Sequence, residues 1–248
     1  MKKIFLACIF IYLIIPGYSQ TQVEKGFELQ EVLKIAEMYK NVPNLSFTIN
    51  YSYADSAHSS DTLEKMTGLS RVSDGRYYTS LDSAEYIQGY QYNLAVFHKD
   101  SAIVVNDRQD YADLMKLPLL DSVFHSAYVD SMKIVATDDV PINTLYVYLS
   151  PSSPYSGYYL VYFRNSYRIN NIFFKMKNAP IGEDSTGIKT GTALVNINLS
   201  AYSTASVPQD SFWEDKFIYK EAGEIKRKPA YATYQLLDNT TTKATTPN

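Results

Sequence analysis

Apolar and polar residues alternate along residues 45–53. Leu45, Phe47, Ile49, Tyr51 and Tyr53 interleave with Ser46, Thr48, Asn50 and Ser52. Only an extended chain puts a period of two on one side, so this segment reads as a strand with one apolar and one wet face. The texture recurs at 65–72, 76–81, 85–88, 91–98 and 102–106, and again at 132–136, 144–149, 158–163, 168–175 and 193–199. Asp74-Gly75, Gly89 and Lys99-Asp100 separate neighbouring segments, which suits antiparallel strands joined by tight turns. Twenty-three tyrosines strengthen the reading, because Tyr forms strands and pairs an apolar body with a polar tip.

Helical periodicity enters at the start of this run. Within 27–40, Leu29, Val32, Leu33, Ala36 and Tyr39 follow the spacing of one helix face. Glu31 with Lys34, and Glu37 with Lys40, are then expected to meet on the wet side. Asn41-Val42-Pro43 ends the helix, because the residue before proline avoids helical geometry. A short helix is expected at 118–127, opened by Pro118, and a short helical element at 208–219. The stretches 56–61, 151–157 and 178–187 read as loops, 231–237 as a last strand, and 239–248 as a disordered Thr-rich tail. With no repeat or linker, residues 20–238 form one expected domain of mostly antiparallel sheet with few helices.

Residues 1–19 read as an export signal. Lys2-Lys3 precede an uncharged run from Ile4 to Ile15, Pro16-Gly17 break it, and Gly17 and Ser19 are small residues before Gln20. The run is too short for ~30 Å of hydrocarbon, which takes roughly 20 residues, so a chain spanning the membrane is not expected. Cys8 is the only cysteine. It lies inside the apolar run, where lipidation does not fit, and cleavage would leave no thiol for disulfide, zinc or nucleophile. A net charge of -3 with 20% charged and 46% hydrophobic residues excludes intrinsic disorder and nucleic-acid binding by bulk positive charge.

Chemistry-bearing motifs are scarce. His58, His98 and His125 are not at metal-ligand spacing, and no Gly-x-Ser-x-Gly elbow, phosphate loop or dinucleotide fingerprint occurs. No catalytic residue, metal or cofactor is therefore expected. Asp138-Asp139, Glu183-Asp184 and Glu214-Asp215 read as solvated surface, and Lys226-Arg227-Lys228 as a solvated turn. Tyr51, Tyr53, Tyr77, Tyr78, Tyr86 and Tyr146 lie in or beside strands. A concave face lined by such rings with Phe, Leu and Ile could hold an amphiphile or a sugar ring; ordinary sheet packing is the plainer account. Asp followed by Ser or Thr recurs, as at Asp55-Ser56-Ala57, Asp82-Ser83-Ala84, Asp100-Ser101-Ala102 and Asp130-Ser131-Met132. The tripeptide resembles an O-glycosylation sequon of exported Bacteroidetes-type proteins, and it equally suits turn closure by Asp and Ser side chains.

The order of elements carries a resemblance. A helix ending Ala36-Glu-Met-Tyr-Lys-Asn-Val-Pro-Asn-Leu-Ser46 runs directly into Phe47-Thr-Ile-Asn-Tyr51. Gly68-Leu-Ser-Arg71, Arg76-Tyr-Tyr78, Glu85-Tyr-Ile-Gln88 and Tyr92-Asn-Leu-Ala-Val-Phe97 follow. This pattern resembles the outer-membrane lipoprotein carrier (LolA/LolB-like) superfamily over roughly residues 27–199. The resemblance implies an α+β fold in which a curved antiparallel sheet, an incomplete half-barrel, has its concave face covered by the N-terminal helix and short helices. It also implies a non-enzymatic protein of the periplasm or cell envelope that holds a lipid, lipoprotein acyl chains or another amphiphile in an apolar cavity. Phe47, Ile49, Tyr51, Leu94, Val96 and Phe97 are the cavity candidates; their face stays open, since a one-residue slip in register inverts it. The superfamily's Arg beside Pro is not carried over, because Arg71 is followed by Val72-Ser73. The alternative is an envelope scaffold whose sheet edge or Tyr-rich face binds another protein, with a hydrolase as a third class.

Overall fold

A computed structural model describes residues 26–59, 62–108, 122–184 and 187–241. Residues 1–19 and the start of the expected 118–127 helix lie outside the described residues. Helix α1 (Phe27–Asn41) leads into β1 (Leu45–Asp55) and β2 (Thr62–Ser73), then the short strands β3 (Arg76–Leu81), β4 (Ala84–Gln88), β5 (Tyr92–Phe97) and β6 (Ala102–Asp107). After α2 (Ser122–Tyr128) come β7 (Val129–Ala136), β8 (Ile142–Leu149), β9 (Tyr155–Phe163) and two long strands, β10 (Ile169–Asp184) and β11 (Gly187–Ser203). The C-terminal region adds β12 (Ile218–Glu221), β13 (Glu224–Arg227) and β14 (Gln235–Asp238).

Twelve strands make one open sheet in the order β14-β6-β5-β4-β3-β2-β1-β11-β10-β9-β8-β7, while β12 and β13 form a separate hairpin. Neighbours are antiparallel except β14, which joins β6 in parallel. The hairpin turn at Asp74-Gly75 has positive φ at both residues, +49° and +71°, the geometry that matches strand twist.

The sheet curls around α1, and packing shows why. One cluster joins Val32, Ile35 and Tyr39 of the helix to Val72 on β2, Phe47 on β1, and Leu145 and Val147 on β8. Five strand spacings separate β2 from β8, roughly 24 Å in a flat sheet at ~4.8 Å each. Helix α1 gathers residues from both flanks into one cluster on the side it covers, and the sheet curls toward it there. The face toward α1 is therefore concave.

Cross-strand partners share a face, so the registers map this face directly. One row runs Ile134, Leu145, Leu160, Ile172, Ile197, Tyr51, Met66. The opposite face carries Tyr146, Tyr159, Phe173, Asn196, Ser52 and Lys65 in the adjacent row. The chain after β11 covers part of that outer face: Phe217 and Ile218 pack with Ile87, Leu94, Val96, Ile103 and Val105, supported by Tyr231 and Tyr234.

Several expectations are corrected. The stretch 178–187 is strand through Asp184 and from Gly187 onward, not a loop. Asn178, at φ +53°, and Pro180 fall where the β10–β11 register shifts, so bulges absorb them without ending the strand. The 208–219 stretch holds two 3-10 turns, Gln209–Phe212 and Glu214–Lys216, before β12 begins. Lys226-Arg227 lies in β13, where Ile225 faces the outer-face core and alternates with the charges, rather than in a turn. The expected last strand opens later, after a 3-10 turn at Pro229–Tyr231. Glu31 is buried, 5% exposed, and not on the wet side of the helix. Beyond β14, Asn239 N–H donates to Val105 O and Thr241 N–H to Asp107 Oδ2, so pairing continues past residue 239.

Candidate ligand-binding face

The six candidate residues divide between the two faces. Phe47, Ile49 and Tyr51 lie on the concave face. Phe97 shares it through Ala84, Leu81 and Gly68, the successive partners that lead back to Ile49, and its ring meets Tyr86 edge-on at 6.0 Å. Leu94 and Val96 point the other way, under Phe217 and Ile218. Alternation along β5 makes this unavoidable: 94 and 96 cannot face the same side as 97.

The concave face has two parts. Under α1, Phe47 touches Tyr39 edge-on at 5.9 Å and Tyr202 at 5.2 Å. Beyond the helix lies a second strip: Tyr51, Tyr53, Met66, Leu81, Ala179, Ala193 and Val195, with Ile49, Phe174, Met176, Ile181 and Ile197 beside them. All of these partners belong to strands of the same sheet. Tyr53 OH donates to Pro180 O at 2.6 Å. Tyr51 OH is buried without a hydrogen-bond partner among the described residues, and burial holds its proton well above the ordinary phenol range.

Polar groups pin the helix to the sheet. Ile169 N–H donates to Tyr39 OH at 3.0 Å, and Tyr202 OH donates to Ile169 O at 2.6 Å. The two phenol oxygens are 2.5 Å apart; with the Tyr202 proton committed to Ile169, Tyr39 is the donor between them. The three bonds close a ring on one backbone residue. Burial pushes Tyr39 up to about 12 and Tyr202 also upward. Glu31 accepts from Tyr162 OH at 3.0 Å and from Lys34 Nζ at 2.6 Å, while Asn143 Nδ2 donates to Tyr162 OH at 3.1 Å. Burial, with the Glu31 carboxylate adding to it, raises Tyr162 to about 12. Sequence reasoning missed this cluster. Its one signal was that Glu31 precedes Ile35 by a helical turn and shares its stripe.

The histidines are placed separately. His98 Nε2 lies 2.8 Å from Glu85 Oε1 and its Nδ1 3.0 Å from Tyr234 OH, while Tyr78 OH donates to Glu85 Oε2 at 2.9 Å. This outer-face cluster ties the C-terminal segment to β4 and β5. His58 approaches Asp55, whose carboxylate also accepts from Ala57 N–H at 3.0 Å. Hydrogen bonding from that amide, with His58 assisting, holds the Asp55 carboxyl below its usual range. His125 Nε2 is buried with no partner among the described residues. Arg71 donates to Ser211 Oγ at 2.8 Å and lies over the Tyr78 ring, so it too fastens the C-terminal segment.

Two hollows stand out among the described residues, and neither is the expected concave cavity. One, of about 560 Å³, is lined by Tyr219, Ile225, Lys226, Arg227, Gln235 and Leu236. The other, about 280 Å³, lies on the outer face beside Phe173. Beneath α1 the concave face is filled by side chains.

No family model matches the chain, and no curated protein matches it. Solved structures do. An uncharacterized conserved protein from Thermus thermophilus is similar at a TM-score of 0.47 and 10% identity, over 85% of this chain and 98% of that one. A LolA superfamily protein from Nitrosomonas europaea has a TM-score of 0.36 and 11% identity, over 77% of this chain and 100% of that one. A putative outer membrane lipoprotein-sorting protein domain from Vibrio parahaemolyticus gives 0.37 and 9%, over 75% of this chain and 96% of that one. Likenesses this distant leave the site to be read from its own geometry.

Proposed function

We propose that this chain is a non-enzymatic binding protein, exported to the cell envelope after removal of residues 1–19, that holds the acyl part of a lipid or lipoprotein on its concave face. One observation carries the reading. The row from Ile134 through Leu160 and Ile197 to Met66 is apolar across seven strands, and α1 packs over one part of it while the strip around Tyr51 packs only against its own sheet among the described residues. Acyl chains need a continuous apolar track and few directional contacts. The strip supplies this with Ile49 and Tyr51, while Phe47 lies under α1, Phe97 lies on the same face further along the sheet, and Leu94 and Val96 serve the outer core instead. Loading requires the strip to open, since Tyr51, Met66, Ala193 and Val195 at its centre are buried in this state.

The resemblance in element order agrees with this reading and adds no residue to it. The test is native mass spectrometry of protein recovered from its own envelope, followed by solvent extraction. Acyl species at about one per folded protein are expected; folded protein that yields none overturns the proposal.

A second reading has its own observation. Tyr146 is 41% and Tyr148 52% exposed on the outer face near the β7 end of the sheet, and exposed aromatics of this kind anchor protein partners. Co-purification of one stoichiometric envelope protein, lost on Tyr148→Ser and without acyl species, is the outcome that favours a scaffold.

A further inference from the structure

The outer face holds a trough that neither the lipid reading nor the scaffold reading uses. Ser52 and Ala54 of β1 lie in it with Asn196 of β11. The wall on the β9–β10 side is a ring pair: Tyr159 and Phe173 stack at 4.6 Å with planes 14° apart. Ser59, which follows β1, and Thr62, the first residue of β2, line it as well. The hollow measures about 280 Å³ and is open to solvent.

Three features of the lining restrict what fits. First, none of the side chains lining it carries a charge, and the nearest cations by register, Lys65 and Lys175, are the cross-strand partners of Ser52 and Leu194 at its margin. Second, its polar groups are amides and hydroxyls, each able to donate and accept. Third, Asn171 Oδ1 is a buried acceptor without a hydrogen-bond partner among the described residues, and Asn171 lines the trough. An acceptor left unpaired is costly, so a ligand O–H that draws the Asn171 amide out into the trough satisfies it.

A neutral pyranose has these properties. Its C–H face packs on aromatic rings, and its vicinal hydroxyls both donate and accept. We propose that the trough is a carbohydrate site, which takes a sugar unit of a neutral oligosaccharide against Tyr159 and Phe173, with the Asn171 amide turning into the trough so that its Oδ1 accepts from a ring hydroxyl. The site is independent of the concave face, since residues on the two sides of one sheet alternate along the strands.

Isothermal titration of the full folded protein with maltohexaose, cellohexaose and chitohexaose, and with hexaglycine as a backbone-amide comparator, tests this. At least one of the three saccharides is expected to bind in the millimolar range or tighter. Phe173→Ala and Asn171→Ala should each weaken it about tenfold, as expected for one lost contact of this size. Ser52→Trp, which fills the trough without removing a lining ring or amide, should abolish binding; circular dichroism confirms that each variant is folded. If Phe173→Ala does not fold, Ser52→Trp decides alone. No heat with any of the three saccharides, binding that survives Ser52→Trp, or binding of hexaglycine in their place each overturns the proposal.

Discussion

Raising the pH should unfold this protein through its buried phenols, and the Tyr39–Tyr202–Ile169 ring is where the effect can be isolated. In the unfolded chain the Tyr39 phenol ionises at its ordinary 10.0; in the fold, burial holds its proton to about 12. Tyr39 is 2% exposed, so little of this difference is screened by solvent. A group raised in the fold contributes stability in full below pH 10, and that contribution is lost as the pH rises toward and through 12. Two pH units at ~1.4 kcal/mol each give a loss on the order of 3 kcal/mol from this residue. Tyr53 and Tyr162, also raised to about 12 by burial, act in the same window. The assay is urea unfolding at closely spaced pH values, followed by circular dichroism, with tyrosinate absorbance read in parallel. Stability should hold up to about pH 10 and then fall, and the late tyrosinate step should coincide with unfolding. Tyr39→Phe lowers stability at neutral pH, because Ile169 N–H loses its acceptor, yet it should flatten the alkaline decline by up to about 1.4 kcal/mol per pH unit. An unchanged slope in Tyr39→Phe, or ionisation of Tyr39 near 10 in the folded protein, would refute the reasoning.

Three further perturbations test the packing. A Cβ at Gly68 would lie 2.0 Å from Ser80 O, a backbone atom that cannot swing aside, so Gly68→Ala should destabilise by about 1–3 kcal/mol or more; denaturant midpoints check this, and an unchanged midpoint would mean β2 and β3 are not this close. Glu214 Oε1 accepts from Gln91 N–H at 2.6 Å and Tyr92 N–H at 3.1 Å, directly over Gly89. Glu214→Ala and Gly89→Ala should each cost about 1–2 kcal/mol and speed exchange of those two amides, while the double variant costs little more than either alone; full additivity would show they do not share one latch. Phe217→Ala, at a residue 2% exposed against Tyr231, should cost about 3–5 kcal/mol, and protease should then cut the chain after β11 first; cutting elsewhere would mean the segment does not depend on Phe217.

Much of the strand set was legible because it rests on one local property. Alternation located β1 within two residues of its end, and β3 falls at 76–81 as the pattern indicates. The errors cluster where nonlocal pairing overrides local signals. Asn178, Pro180 and Gly182 look like a loop, yet β11 offers a partner long enough to hold β10 through them by bulging. Glu31 looks solvated as a helix charge, yet Tyr162 arrives from 131 positions away to receive it. The split of Phe97 from Leu94 and Val96 was written in the parity of β5; the side on which each falls was not, because both faces of this sheet are covered, one by α1 and the other by Phe217 and Ile218. A sheet buried on both sides gives up the polar–apolar contrast that would name its inner face. Where the outer face stays uncovered, as at Ser52, Phe173 and Asn196, the contrast returns as small polar residues set against rings. It is there, rather than in the filled space beneath the helix, that a hollow stands open without the sheet first moving apart.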